Sequence, residues 1–136
     1  MAKTPASVLK MASDAGVQIV DFRFTDLMGA WQHTSKSIVD VDEELFEHGV
    51  GFDGSSIRGF QTIDESDMLM MTIAETAQID PYTSIPTMYV LCDLYNPISR
   101  KRYTRDPRGV AERAEAYLTS SGMGEAAYFG PEPEFF

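Results

Sequence analysis

The chain has 136 residues, enough for one domain or for a small domain and the start of another. Hydrophobic residues make up 43% and charged residues 24%, so a packed core is expected and a disordered tail is not. The net charge of −10, from 21 acidic against 11 basic residues, argues against a nucleic-acid footprint, which needs clustered Lys and Arg, and suits cation binding. The single cysteine, Cys92, rules out an intrachain disulfide and sits in a run that reads as a buried strand. No signal peptide or membrane-length apolar stretch is visible, so a cytoplasmic protein with no membrane partner is expected.

Thr4-Pro5 opens a helix expected to run to Ala15, with Thr4 as N-cap, Pro5 at the first helical position and Gly16 as its stop. Residues 17–24 mix β-branched and aromatic types, with Asp21 and Arg23 on one face, and predict a strand. A turn at residues 26–29 and a second strand from Ala30 to Ile38 complete a hairpin. Asp42 to His48 reads as a short helix capped by Asp42 and ended by Gly49. Strands are expected from Asp67 to Ile73 and from Thr87 to Leu94. The basic run Arg100-Lys101-Arg102 marks a composition change, which places a domain boundary near residue 103. Asp106-Pro107 starts a helix ending at Gly122, with Val110, Ala111, Ala114, Tyr117 and Leu118 on one side. Ala126 to Phe136 is expected to be a strand. A chain stopping there on two phenylalanines reads as a truncated piece of something longer. The irregular order of strands and helices favours an α+β, grasp-like domain over a dinucleotide-binding βαβ fold.

Two stretches carry candidate chemistry. In Gly130-Pro131-Glu132-Pro133-Glu134-Phe135-Phe136, residues two apart on a strand face the same way, with α-carbons roughly 6–7 Å apart. The prolines stiffen the backbone around Glu132 and Glu134. Paired carboxylates repel unless a cation lies between them, and hard divalent ions prefer such oxygen ligands. One glutamate on each of two neighbouring ions is the functional reading; a solvated edge strand is the other. The second stretch, residues 51–60, surrounds Asp53 with three glycines and the hydroxyls of Ser55 and Ser56. It is either a local turn or a loop that presents Asp53 to a ligand, flanked by Phe52 and Phe60. His33 and His48 lack metal-ligand spacing and read as structural.

The runs Phe52-Asp53-Gly54-Ser55-Ser56-Ile57, Glu65-Ser66-Asp67-Met68, Arg105-Asp106-Pro107-Arg108 and Gly130 to Phe136 resemble type I glutamine synthetase, in the family's order, as does the first hairpin. Several motifs in one order outweigh the bland readings of the loop and the strand. The resemblance implies a β-grasp-like N-terminal domain at 1–103, followed at 104–136 by the first helix and strand of an incomplete catalytic domain. It implies an enzyme that ligates ammonia to glutamate with ATP through γ-glutamyl phosphate, using Mg²⁺ or Mn²⁺. It also implies a homo-oligomer, a hexameric ring stacked into a dodecamer. Glu134 would ligate the metal nearer glutamate, and Glu132 the metal at the ATP phosphates. Asp53 would bind ammonium in the neighbouring subunit's site and help remove its proton, within a substrate loop that includes Ser55, Ser56 and Phe60. Some members carry tryptophan in place of Phe60 and glycine in place of Arg58, and here an aromatic is kept at residue 60. On its own the chain is expected to be inactive. The alternatives are a related γ-glutamyl-amine or polyamine ligase, and a free-standing grasp-like interaction module.

Overall fold

The computed structural model describes residues 2–135. Helix α1 (Pro5–Asp14) begins where Thr4 accepts from the Ser7 amide while the Ser7 hydroxyl closes a reciprocal cap. Strand β1 (Ile19–Thr25) pairs antiparallel with β2 (Trp31–Ser37). The turn between them is held by Asp26, whose carboxylate accepts from the Met28 and Ala30 amides and from Gln32. Helix α2 (Glu43–His48) is capped by Asp42, which accepts from the Leu45 amide at 2.9 Å. Four strands follow: β3 (Val50–Asp53), β4 (Asp67–Thr72), β5 (Gln78–Asp80) and β6 (Thr87–Tyr95). Helix α3 (Pro107–Ser120) is capped by Asp106.

The sheet runs β2-β1-β6-β4-β3, with β5 also on β6. Among the described residues, only β1 and β6 pair in parallel. Alternation along the central strands decides which face is covered. Val20, Phe22 and Phe24 of β1, and Met88, Val90, Cys92 and Leu94 of β6, point into a core with Val8 and Ala12 of α1 and Phe46 of α2. Burying a side chain such as Phe22 contributes roughly 1.5–3 kcal/mol of transfer free energy. Burial also pushes the Cys92 thiol pKa far above its ordinary value, so this sulfur is an inert core atom.

The opposite face is polar near β1. Asp21 is buried, and accepts from Arg23 at 2.6 Å and from Ser35 at 2.8 Å. His33 Nδ1 lies 2.6 Å from the same carboxylate. Arg23 also reaches Asp80 at 2.7 Å and lies over the Tyr89 ring. This confirms the structural reading of His33 and the shared face of Asp21 and Arg23.

Several expectations need correction. Residues 50–53 form an edge strand rather than part of a loop, and β5 was not foreseen. The apolar side of α3 is not buried: Val110 and Tyr117 are exposed, and no described element packs over them. The largest difference concerns the strand expected from Ala126. Residues 126–135 have no regular structure and are exposed, and Phe136 lies outside the described residues. A strand needs a partner for its backbone groups, Pro131 and Pro133 offer no N–H, and no described strand lies alongside. The first helix of the expected second unit therefore forms, and its first strand does not.

Candidate functional site

Strand β3 delivers Asp53 to the edge of the sheet opposite Asp67, where β3 and β4 end their pairing. The chain then turns tightly through Gly54–Ser56. Asp53 caps this turn, its Oδ1 accepting from the Ser55 amide at 2.9 Å and the Ser55 hydroxyl at 2.6 Å. The Ser55 hydroxyl first, and its amide second, hold the Asp53 carboxyl below the usual carboxylate range. Asp53 is therefore an exposed anion at neutral pH, with Oδ1 taken by Ser55 and the Ser66 side chain a further, weaker partner of the carboxylate.

Gly54 is required by close approach. A Cβ there would run into the Met68 side chain and lie 3.1 Å from the Ser66 carbonyl oxygen. That same carbonyl accepts from the Gly54 amide at 2.7 Å, which fixes the start of the loop to the chain entering β4. Gly59 is required by conformation, with φ of 83°.

Ser55 and Asp53 are thus brought together. Ser56 ends the turn without a side-chain hydrogen bond among the described residues. Phe60 is different: its ring is 2% exposed and packs 6.1 Å from Phe24 and 5.4 Å edge-on from Tyr103. In this chain Phe60 anchors the expected substrate loop in the core by packing.

Glu132 and Glu134 lie in the exposed, irregular tail, with neither hydrogen bonds nor ion pairs among the described residues. Their expected alignment on a strand is not formed. No group of three or more His, Cys, Asp or Glu capable of holding a metal ion occurs among the described residues. The donor chemistry, two carboxylates, still suits a hard divalent ion, but as part of a ligand shell only.

Two groups that sequence reasoning missed lie at the far end of the loop. Tyr103 and Arg105 both donate to loop carbonyls more than forty residues earlier in the chain. Nearby, fully buried Asp106 accepts from the Leu94 amide, Arg102 Nε and the Arg108 amide, while Asp93 binds Arg102 and Arg108. The Arg-Asp-Pro-Arg motif was visible, but its partners come from the fold.

Fold and loop together define a β-grasp domain that offers a carboxylate from the end of an edge strand. The family model described as the glutamine synthetase β-grasp domain matches residues 16–97, more than half of the chain. The chain belongs to that family. It is 50% identical over 133 residues to glutamine synthetase of Aquifex aeolicus, covering 98% of this chain and 28% of that protein. It is 51% identical over 136 residues to a 3-hydroxylaminophenol mutase of Cupriavidus pinatubonensis, covering 100% of this chain and 29% of that one. Among solved structures, it resembles Plasmodium falciparum glutamine synthetase with a TM-score of 0.75 at 20% identity, over 90% of this chain and 24% of that one. The last likeness speaks for the fold alone. The chain thus spans less than a third of the length of the curated relatives it matches.

Proposed function

We propose that this chain is the first part of a glutamine synthetase subunit, a ligase that joins ammonia to glutamate at the expense of ATP. The observation that supports this best is Asp53, an ionised carboxylate on a pinned, exposed loop, in a chain about half identical to a named glutamine synthetase. Ammonium is mostly protonated at neutral pH. It must be attracted as a cation and then lose a proton before its nitrogen can attack an activated carboxyl group. Asp53 Oδ2 can do the first and assist the second, while Ser55 keeps the carboxylate aimed and charged.

Residues 1–103 serve in this reading as the grasp-like unit, and residues 104–136 begin the catalytic domain. Glu132 and Glu134 would hold Mg²⁺ or Mn²⁺ with further ligands from outside this chain, Glu134 nearer glutamate and Glu132 nearer the ATP phosphates. Such ions neutralise phosphoryl charge when bound. A ring-shaped homo-oligomer, six subunits per ring and two rings per particle, would bring Asp53 to a neighbour's site. The setting is the cytoplasm; no helix among the described residues is long and apolar enough to cross a membrane.

The test uses the full-length subunit supplied with glutamate, ATP and Mg²⁺ or Mn²⁺. Glutamine formation that requires ammonium, with methylamine and polyamines poor in its place, is the expected result. A preference for an amine would move the protein to the amide-ligase reading. Because one relative carries the name 3-hydroxylaminophenol mutase, that conversion is the second activity to assay. Mutase turnover without ATP-dependent glutamine formation would overturn the proposal.

A further inference from the structure

The Asp53 loop is held at both ends, and the second hold comes from a different part of the chain. At its start, the Gly54 amide donates to Ser66 O at 2.7 Å. At its end, Tyr103 Oη donates to Phe60 O at 2.6 Å, and Arg105 Nη1 donates to Gly59 O at 2.8 Å and Phe60 O at 3.1 Å. Between these ends the loop carries its own relay. The Phe60 amide donates to Ile57 O, and the Ile57 amide to Gly54 O, each at 3.1 Å. One hydrogen-bonded line thus runs from Tyr103 and Arg105 through Phe60, Ile57 and Gly54 to the chain entering β4. Asp53 immediately precedes Gly54 on that line.

The segment bearing Tyr103 and Arg105 does not depend on these contacts for its own place. The Asn96 amide donates to Lys101 O, and the Tyr103 amide to Leu94 O, folding residues 101–103 back along β6. Arg102 is tied to Asp93 and Asp106, and Asp106 to Leu94. Removing the Tyr103 hydroxyl or the Arg105 guanidinium therefore unpins the loop while leaving the segment held. Burial raises the Tyr103 phenol pKa, with Arg105 partly offsetting it, so the hydroxyl remains a donor at neutral pH.

We propose that Tyr103 and Arg105 are positioning residues for the Asp53 loop, fixing through the Gly59 and Phe60 carbonyls where the Asp53 carboxylate meets its cation. This rests on the ammonium role of Asp53 proposed above. A reacting group misplaced by about 1 Å can lose a hundredfold in efficiency, so contacts that fix its position matter. The effect should fall on the substrate that Asp53 handles and spare the others.

The experiment measures steady-state kinetics of the full-length subunit for Tyr103→Phe, Arg105→Gln and the double variant, with Asp53→Ala beside them. The double variant should lower kcat/KM for ammonium about tenfold, each single variant about threefold, with KM for glutamate and ATP within twofold. Arg105→Lys, whose charged amine reaches further than the shorter Gln amide, should recover part of the loss. If Asp53→Ala impairs ammonium use selectively while Tyr103→Phe and Arg105→Gln leave it within the error of the wild type, the positioning role is wrong and the functional reading stands. If Asp53→Ala itself has no selective effect on ammonium, the functional reading fails and the positioning role falls with it. Tyr103→Phe keeps the ring against Phe60, so it decides the question should the double variant not fold.

Discussion

The two carboxylate-bearing stretches of this chain, the Asp53 loop and the Glu132–Glu134 tail, are built by opposite means. The loop takes its shape from neighbours within the chain. Ser66 holds its start, Tyr103 and Arg105 hold its end, and the Phe60 ring is sunk in the core. The tail has two prolines to limit its backbone and nothing described to pair with it. A stiff backbone lowers the entropy lost on ordering, but it does not supply a partner. Placing a functional side chain needs tertiary contacts as well as restricted torsions, and only the loop has both here.

The largest expected effect sharpens this contrast between core and tail. Phe22→Ala in the sheet should destabilise the chain by about 3–5 kcal/mol in denaturant unfolding, whereas Phe135→Ala in the exposed tail should change it by less than about 0.5 kcal/mol. A large cost at Phe135 would mean that the tail packs against the domain.

Asp106→Ala comes next. It removes the α3 cap, leaves the buried Leu94 amide without its acceptor and strips Arg102 of a partner, at a cost of about 3 kcal/mol by the same measurement. Gly54→Ala should cost about 1–3 kcal/mol, because its new methyl group must displace Met68.

Acid provides the smallest effect. Burial alone would raise the Asp21 carboxyl, but hydrogen bonds from Arg23, His33 and Ser35 outweigh it and leave the pKa lowered. A carboxyl whose folded pKa lies below its unfolded value stabilises the fold above the unfolded pKa, about 4. That contribution is lost as pH falls further through the folded value. An acid titration followed by circular dichroism should show the Asp21→Asn variant losing less stability than wild type below about pH 4. Equal losses would contradict the role given to the Asp21 cluster.

Much of this fold could be read locally. Thr4-Pro5, Asp42 with Gly49, and Asp106-Pro107 mark helix ends through short-range capping, and all three helices form where these signals place them. Runs of apolar, β-branched and aromatic residues gave β1, β4 and β6; β6 turns alternate residues to the core, whereas β4 buries Met68, Leu69 and Met70 in succession. Strand β3 was hidden: it is four residues long, Gly51 and Asp53 are poor strand formers, and its pairing with β4 is a tertiary fact. Asp53 was legible as a candidate from its Gly-Ser-Ser setting, yet its supports at Tyr103 and Arg105 were not, since the residues lie far apart in sequence. The tail failed in the reverse direction. Its spacing was right for a strand, but a strand is a property of pairs of segments, and no described strand pairs with it.

Replacing one carboxylate oxygen by an amide nitrogen at the start of the loop probes the idea with least disturbance to packing. Asp53→Asn keeps an acceptor for Ser55 and removes the charge. In the full-length subunit, KM for ammonium should rise at least about tenfold while KM for glutamate stays within about twofold. An equal rise for both substrates, or none for ammonium, would contradict the assignment of this anion to the incoming cation.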